Sequence, residues 1–206
     1  MKTGLLDGKV LGHGERNMPW QRDRRMRLMK DGVLVRSAAQ DQLAAILELM
    51  RAAFPDEDVH ELVRQLTADG QFIPEYSLVA AEDGRIIGHV LLSRAYIDAE
   101  GEPLPVLCLA PLAVLPERQN EGIGTALVEA GLSRARKHGE KAVIVLGHPD
   151  YYPRFGFEPA MPLGILPPHP VEMSEAWMMV ELEPGALDGI SGTVRFDGPL
   201  GDAIWW

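Results

Sequence analysis

The stretch Leu112-Ala113-Val114-Leu115-Pro116, followed by Gln119-Asn120-Glu121-Gly122-Ile123-Gly124-Thr125-Ala126, carries an apolar strand into a long helix, with two glycines at the junction. The first N–H groups of a helix have no internal acceptor, and its dipole is positive at that end, so a helix start is a ready anion site. Glycine has no Cβ, so an oxyanion can approach the backbone closely. The chemistry implied is a phosphate or pyrophosphate cradle over residues 120–125. It is not a Walker loop, because no Gly-Lys-Ser/Thr triplet occurs in the chain, and it is not a dinucleotide fingerprint, because Leu127 stands where the third glycine belongs. What remains is Gln-x-x-Gly-x-Gly, a weak signal as a bare hexapeptide and a fairly strong one between an apolar strand and an amphipathic helix.

The surroundings supply that setting. Ile123, Leu127, Ala130 and Ala135 recur at helical spacing over 122–138, Arg134, Arg136 and Lys137 load the last turn, and Gly139 is the stop. Ala142–Leu146 reads as a buried strand, so strand, helix and strand predict a right-handed crossover. Upstream, Val33–Arg36 reads as a strand. Asp41 is the expected cap of a helix bearing Leu43, Ile46, Leu47 and Met50 that stops near Phe54-Pro55. Val59, Leu62, Val63 and Leu66 give a second helix ending near Gly70. Tyr76–Ala81, the turn Glu82-Asp83-Gly84 and Arg85–Ile97 form a hairpin. Residues 98–103 turn into a long strand over Leu104–Leu115. Phe155–Pro159 and Trp177–Leu182 are later strands, 161–174 is a proline-rich loop, and the end of the chain has no assignment.

The chain has 206 residues, a formal net charge of -10, 46% hydrophobic and 24% charged residues, which predicts one globular domain rather than a disordered chain. No apolar run approaches the roughly 18–20 residues that span a bilayer, so no membrane is expected as a partner. Residues 1–31 hold eight Lys/Arg and four Asp/Glu, a sum of +4, leaving -14 for the other 175. This head reads as a basic, disordered extension (1–31) before a domain at 32–206, with a nucleic-acid contact as a minor option for the head. The acidic domain argues against nucleic acid, since phosphate neutralisation needs clustered Lys and Arg. A single cysteine, Cys108, excludes a disulfide framework and a Cys-rich metal site, and no metal is expected. It fits a reducing, cytoplasmic setting.

With those elements in place, the sequence resembles the GNAT superfamily of N-acetyltransferases, which bind acetyl-CoA through Gln/Arg-x-x-Gly-x-Gly/Ala at this strand-to-helix turn. Tyr152-Pro153-Arg154-Phe155-Gly156-Phe157 resembles the family's Tyr-x-x-x-Gly-Phe box, and the string Val145–Phe157 is similar to the YhbS-like subgroup. The resemblance covers 33–185 well, the last 20 residues loosely and the first 31 not at all. It implies an α+β fold with a mixed central sheet of six to seven strands flanked by helices. It implies that the N–H groups of Asn120, Glu121, Gly122, Ile123, Gly124 and Thr125, with Gln119, hold the pyrophosphate of acetyl-CoA. Leu112, Ala113 and Val114 would pair through their main chain with the pantetheine arm, in a gap where their strand splays from 142–146. Tyr152 would be the general acid toward the leaving thiolate. The acceptor would be a primary amine of a small molecule or protein, attacking the thioester directly. Acceptor walls in such folds come from the 54–75 and 161–175 regions.

Several residues keep two readings. Relatives place an acidic base on or beside the 142–146 strand, whereas 142–146 are all apolar here. His148 and Asp150 are therefore the nearest base candidates, and Asp98, Glu100 and Glu102 lie on a turn that could shape the acceptor end. Tyr151 and His89 read as structural, Cys108 as a small buried hydrophobe, and Arg154 as either a CoA phosphate contact or a helix cap. Trp205-Trp206 could form a homodimer contact or close a core edge. The absent base also leaves room for a non-catalytic acyl-CoA sensor on the same fold, and a nucleotide-binding protein unrelated to CoA is the third alternative.

Overall fold

In the computed structural model, residues 27–28, 32–68 and 73–205 are described. The elements run β1 (Arg27–Leu28), β2 (Leu34–Ser37), α1 (Leu43–Ala53), α2 (Val59–Ala68), β3 (Ser77–Glu82), β4 (Arg85–Asp98), β5 (Leu104–Val114), α3 (Ile123–Lys137), β6 (Ala142–Leu146), β7 (Glu158–Pro159), β8 (Ile165–Leu166), β9 (Trp177–Glu181) and β10 (Gly192–Arg195). The strands form one mixed sheet in the order β1-β2-β3-β4-β5-β6-β9-β7, with β10 on the end of β4 and β8 beside it. The expected extension falls outside the described residues except for Arg27–Leu28, which pair with β2.

The long apolar strands are buried on both faces, which is why they read as continuous rather than alternating runs. Val143 and Val145 of β6 point into a core shared with α1 and α3. Ala142 and Ile144 point into a second core around the fully buried Trp177. That alternation is the period-two geometry of a strand. The α1 helix buries Ile46, Leu49 and Met50, and α2 buries Val59, Leu62, Val63 and Leu66. Asp41 is not the cap of α1. It sits in a short 3-10 turn, and the Gln42 side chain instead accepts from the Ala39 N–H (3.0 Å) and from Arg36 (2.9 Å). Phe155–Pro159 yields strand only at 158–159, because 152–155 wind into a 3-10 turn ended by Gly156 at φ +89°. The loop at 161–174 holds β8.

Two polar features tie the frame. Arg94 donates twice to the Glu140 carboxylate, at 2.6 Å each, and the Tyr76 hydroxyl donates to it at 2.9 Å. His89 is buried in the core as expected, but only half-satisfied. Its Nε2 lies 3.0 Å from Ser77 Oγ, its Nδ1 has no partner, and burial lowers its pKa to about 3.

The β5–β6 pairing positions the site. These strands are parallel, as the crossover requires, but their register covers only Leu107↔Val143 and Cys108↔Ile144. Beyond Cys108 the two part, while β6 continues against β9 through Leu146↔Trp177. On its other edge β5 stays paired with β4 and takes up one extra residue between Leu109 and Leu112, opposite Leu91. Such a bulge bends the strand that carries it.

Candidate active site

The turn from β5 into α3 is a row of unused donors. Ala126 N–H is the first to bond back into the helix, to the Gly122 carbonyl at 3.0 Å. Among the described residues, the N–H groups of Asn120, Glu121, Gly122, Ile123, Gly124 and Thr125 have no acceptor. Asn120 and Gly122 both take positive φ, +65° and +81°, which wraps the row around one point. The two glycines serve different needs. A Cβ on Gly122 would meet nothing, so its requirement is the left-handed backbone, whereas a Cβ on Gly124 would stand 2.8 Å from the Tyr151 hydroxyl. Tyr151, read from sequence as structural, thus roofs the helix start, with its hydroxyl over Gly124.

No free cation is needed for this cradle. Arg118, one residue before Gln119, is held by Glu82 (2.6 Å) and Glu121 (2.9 Å). The Gln119 amide reaches the Val114 carbonyl at 3.4 Å. Arg154 does cap the short turn, donating to the Tyr151 and Asp150 carbonyls, and it also lies 4.7 Å over the Tyr151 ring. Its charge is therefore held beside the roof of the helix start.

A cavity of about 660 Å³ opens where β5 and β6 part. Its inner wall includes Leu109, Ala110, Pro111 and Leu112 of β5, Leu146 at the end of β6, and Gly147, His148 and Tyr152 beyond it. Leu112 faces it, while the Ala113 side chain is buried in the core, so only the main chain of Ala113 is available to a ligand. Tyr152 is 7% exposed and packs edge-on against Tyr151 and Phe157. Its hydroxyl has no hydrogen-bond partner among the described residues. Burial, then the neighbouring Tyr151, push its pKa well above the usual phenol value, so the group keeps its proton. Cys108 also borders the cavity, and burial pushes its thiol up to about 12. A thiol held protonated is a poor nucleophile, so the apolar reading of Cys108 stands.

The outer wall departs from expectation in one respect. The 54–62 part of the first expected region is there, as Phe54, Glu57, Asp58, Val59 and Leu62. The 161–175 region is not. Its place is taken by Leu200, Ile204 and Trp205 from the last turns of the chain. Trp205 closes against the second core, and Trp206 lies outside the described residues. Asp150 does not line the cavity, nor do Asp98, Glu100 and Glu102. Those three sit at the far end of β4 and β5, about 13 Å along β5 from Cys108 at ~3.4 Å per residue. There Asp98 pairs with Arg195 of β10 at 3.1 Å. Among the described residues no cluster of His, Cys, Asp and Glu is placed to hold a metal ion, and no helix is long and apolar enough to cross a membrane.

An acetyltransferase (GNAT) domain profile matches residues 34–160. The chain belongs to the GNAT acetyltransferase family. It is 40% identical over 149 residues to the N-acetyltransferase YjhQ of Escherichia coli K12, covering 70% of this chain and 82% of the relative. Among solved structures it is similar to the GNAT family N-acetyltransferase YhbS of E. coli in complex with CoA. That match has a TM-score of 0.73 and 33% identity, and covers 80% of this chain and 89% of the other. A GNAT acetyltransferase from Brucella melitensis in complex with acetyl-CoA matches with a TM-score of 0.66 and 28% identity, over 84% and 98% of the two chains. The GNAT match begins at β2 and ends in the turn after β7. The outer wall formed by 200–205 therefore lies beyond it.

Proposed function

We propose that this chain moves an acetyl group from acetyl-CoA to a primary amine of a small molecule or protein by direct attack. The observation that carries the reading is the pairing of the six free N–H groups over 120–125 with the unpaired β5 edge that opens onto Tyr152. The N–H groups, with Gln119, suit a pyrophosphate; the free edge of Leu112, Ala113 and Val114 suits the amides of the pantetheine arm. The acetyl thioester is the activated acyl donor. The amine nitrogen forms a bond to its carbonyl carbon, the carbon–sulfur bond breaks, and the Tyr152 hydroxyl gives its proton to the departing thiolate. The arriving ammonium must first lose a proton. The residues on the cavity wall that can take it are His148, Glu57 and Asp58. The acting unit is the domain at 32–206, with 1–31 as a basic extension, and a chain lacking 1–26 is expected to keep acetyl-CoA binding.

Calorimetry with acetyl-CoA, joined to thiol release across a panel of amines, tests this. Binding with turnover on at least one amine is expected. Binding with no turnover on any amine favours the acyl-CoA sensor, a reading supported by the absence of any titratable side chain on β6. No binding at millimolar acetyl-CoA rejects both.

A further inference from the structure

The part of the cavity not claimed by the pantetheine gap has a definite chemistry. Phe54 faces it from the end of α1, Val59 and Leu62 from the start of α2, and Leu200, Ile204 and Trp205 from the last described turns. Ile204 is 77% exposed, a large apolar side chain left open to water at the cavity wall. Glu57 and Asp58 are the two charged side chains on the wall, and neither has an ion-pair partner among the described residues. Among the described residues no Lys or Arg lines the cavity. At its inner end stands Tyr152, a residue 7% exposed whose hydroxyl has no hydrogen-bond partner among the described residues. A carboxylate or phosphate on the acceptor would find two carboxylates against a single basic side chain on the wall, His148. Away from Glu57 and Asp58, a second ammonium would have to leave water for the apolar side chains of Phe54, Val59, Leu62, Leu200 and Ile204.

Resting on the acetyltransferase reading, we propose that the acceptor is a small monoamine on an apolar body, an alkyl- or phenylalkylamine. Glu57 and Asp58 draw its ammonium in, and its body seats between the Phe54–Leu62 segment and the Leu200–Trp205 segment. The C-terminal turns thus act as a specificity wall. Each methylene buried there is worth about fourfold in kcat/KM, from ~0.8 kcal/mol per buried CH₂.

The experiment uses the full chain with saturating acetyl-CoA and thiol release from propyl-, butyl-, pentyl- and hexylamine, phenethylamine, phenylalanine, spermidine and a lysine peptide. The kcat/KM is expected to climb about fourfold per methylene. Phenethylamine should exceed phenylalanine by at least about 100-fold, since one differs from the other by a carboxylate facing Glu57 and Asp58. Ile204→Asp, at an exposed position the fold tolerates, should raise KM for hexylamine about tenfold or more and leave acetyl-CoA binding by calorimetry unchanged. A flat alkyl series, equal rates for phenethylamine and phenylalanine, or preference for spermidine or the peptide overturns the proposal while the acetyltransferase reading survives. Failure of acetyl-CoA to bind, or binding with no amine turned over, removes that reading and this proposal with it.

Discussion

Gly147→Ala probes the reacting end of the site through a single methyl group. A Cβ built on Gly147 runs into Tyr152 Cε2 and stands 2.9 Å from Cδ2 and 3.2 Å from Cζ. Carbon atoms rest at ~3.5–4.0 Å, so the ring must move by on the order of 1 Å. It cannot do so freely, because Tyr152 is 7% exposed and wedged among Tyr151, Phe155 and Phe157. Overpacking of this kind costs about 1–3 kcal/mol of stability, which thermal unfolding will read. Displacing a reacting group by about 1 Å costs on the order of 100-fold in rate. Thiol-release kinetics should therefore show kcat down about 100-fold in a folded Gly147→Ala variant. The hydroxyl as the route is checked by Tyr152→Phe, which should lose about 10²–10⁴-fold in kcat with little change in acetyl-CoA affinity. Tyr152→Phe should also cost little stability, since that hydroxyl leaves no partner behind. The double variant should then be no slower than Tyr152→Phe alone. A folded Gly147→Ala enzyme with unchanged kcat, or a double variant slower by the product of the two losses, would refute the reasoning.

Other consequences are independent of that tyrosine. Gly124→Glu should abolish acetyl-CoA binding in calorimetry, because any side chain at 124 starts 2.8 Å from the Tyr151 hydroxyl and fills the helix start; retained micromolar affinity would place the cradle elsewhere. Burial raises the Glu140 carboxyl, but the Arg94 guanidinium and the Tyr76 hydroxyl outweigh it and hold its pKa below the usual value. A depressed carboxylate stabilises the fold above its unfolded pKa of ~4.3 and loses that contribution as pH falls through the folded value. Thermal unfolding from pH 7 to pH 3 should therefore show a drop near the acid end that Glu140→Gln flattens. Cys108, the sole cysteine, should resist iodoacetamide at pH 8 in the native protein and react on unfolding, because burial holds its thiol up to about 12; rapid native labelling would contradict its burial.

Most of the frame is legible in the chain because local rules decide it. The hairpin turn Asp83-Gly84, the 3.6-residue spacing over Ile123–Lys137 and the apolar run Ala142–Leu146 each lie within one element. Among the described residues, six of the seven strands of four or more residues were expected, the expected strand Phe155–Pro159 shrinks to the two-residue β7, and the two-residue β1 and β8 carry too little pattern to be read. Asp41 was a better cap by residue type than Gln42, and a tertiary contact with Arg36 overrode it. β10 escaped because Gly192–Arg195 gains its strand identity from long-range pairing, with the end of β4 and with β8.

The same division holds for the site. The amino-acid sequence by itself determined the turn of free N–H groups, which needs only a strand, two glycines and a helix in that order. It also placed Tyr152 by spacing to Gly156. Tertiary structure alone decided what surrounds them. It set Tyr151 over Gly124, about 27 residues distant in sequence, and Gly147 under the Tyr152 ring. It swung the last turns of the chain, Leu200 to Trp205, against the start of α2 to close the outer wall. The last of these joins segments more than a hundred residues apart. No local periodicity encodes them; they follow from the sheet order that brings β4, β5 and β6 together and from the parting of β5 and β6 after Cys108.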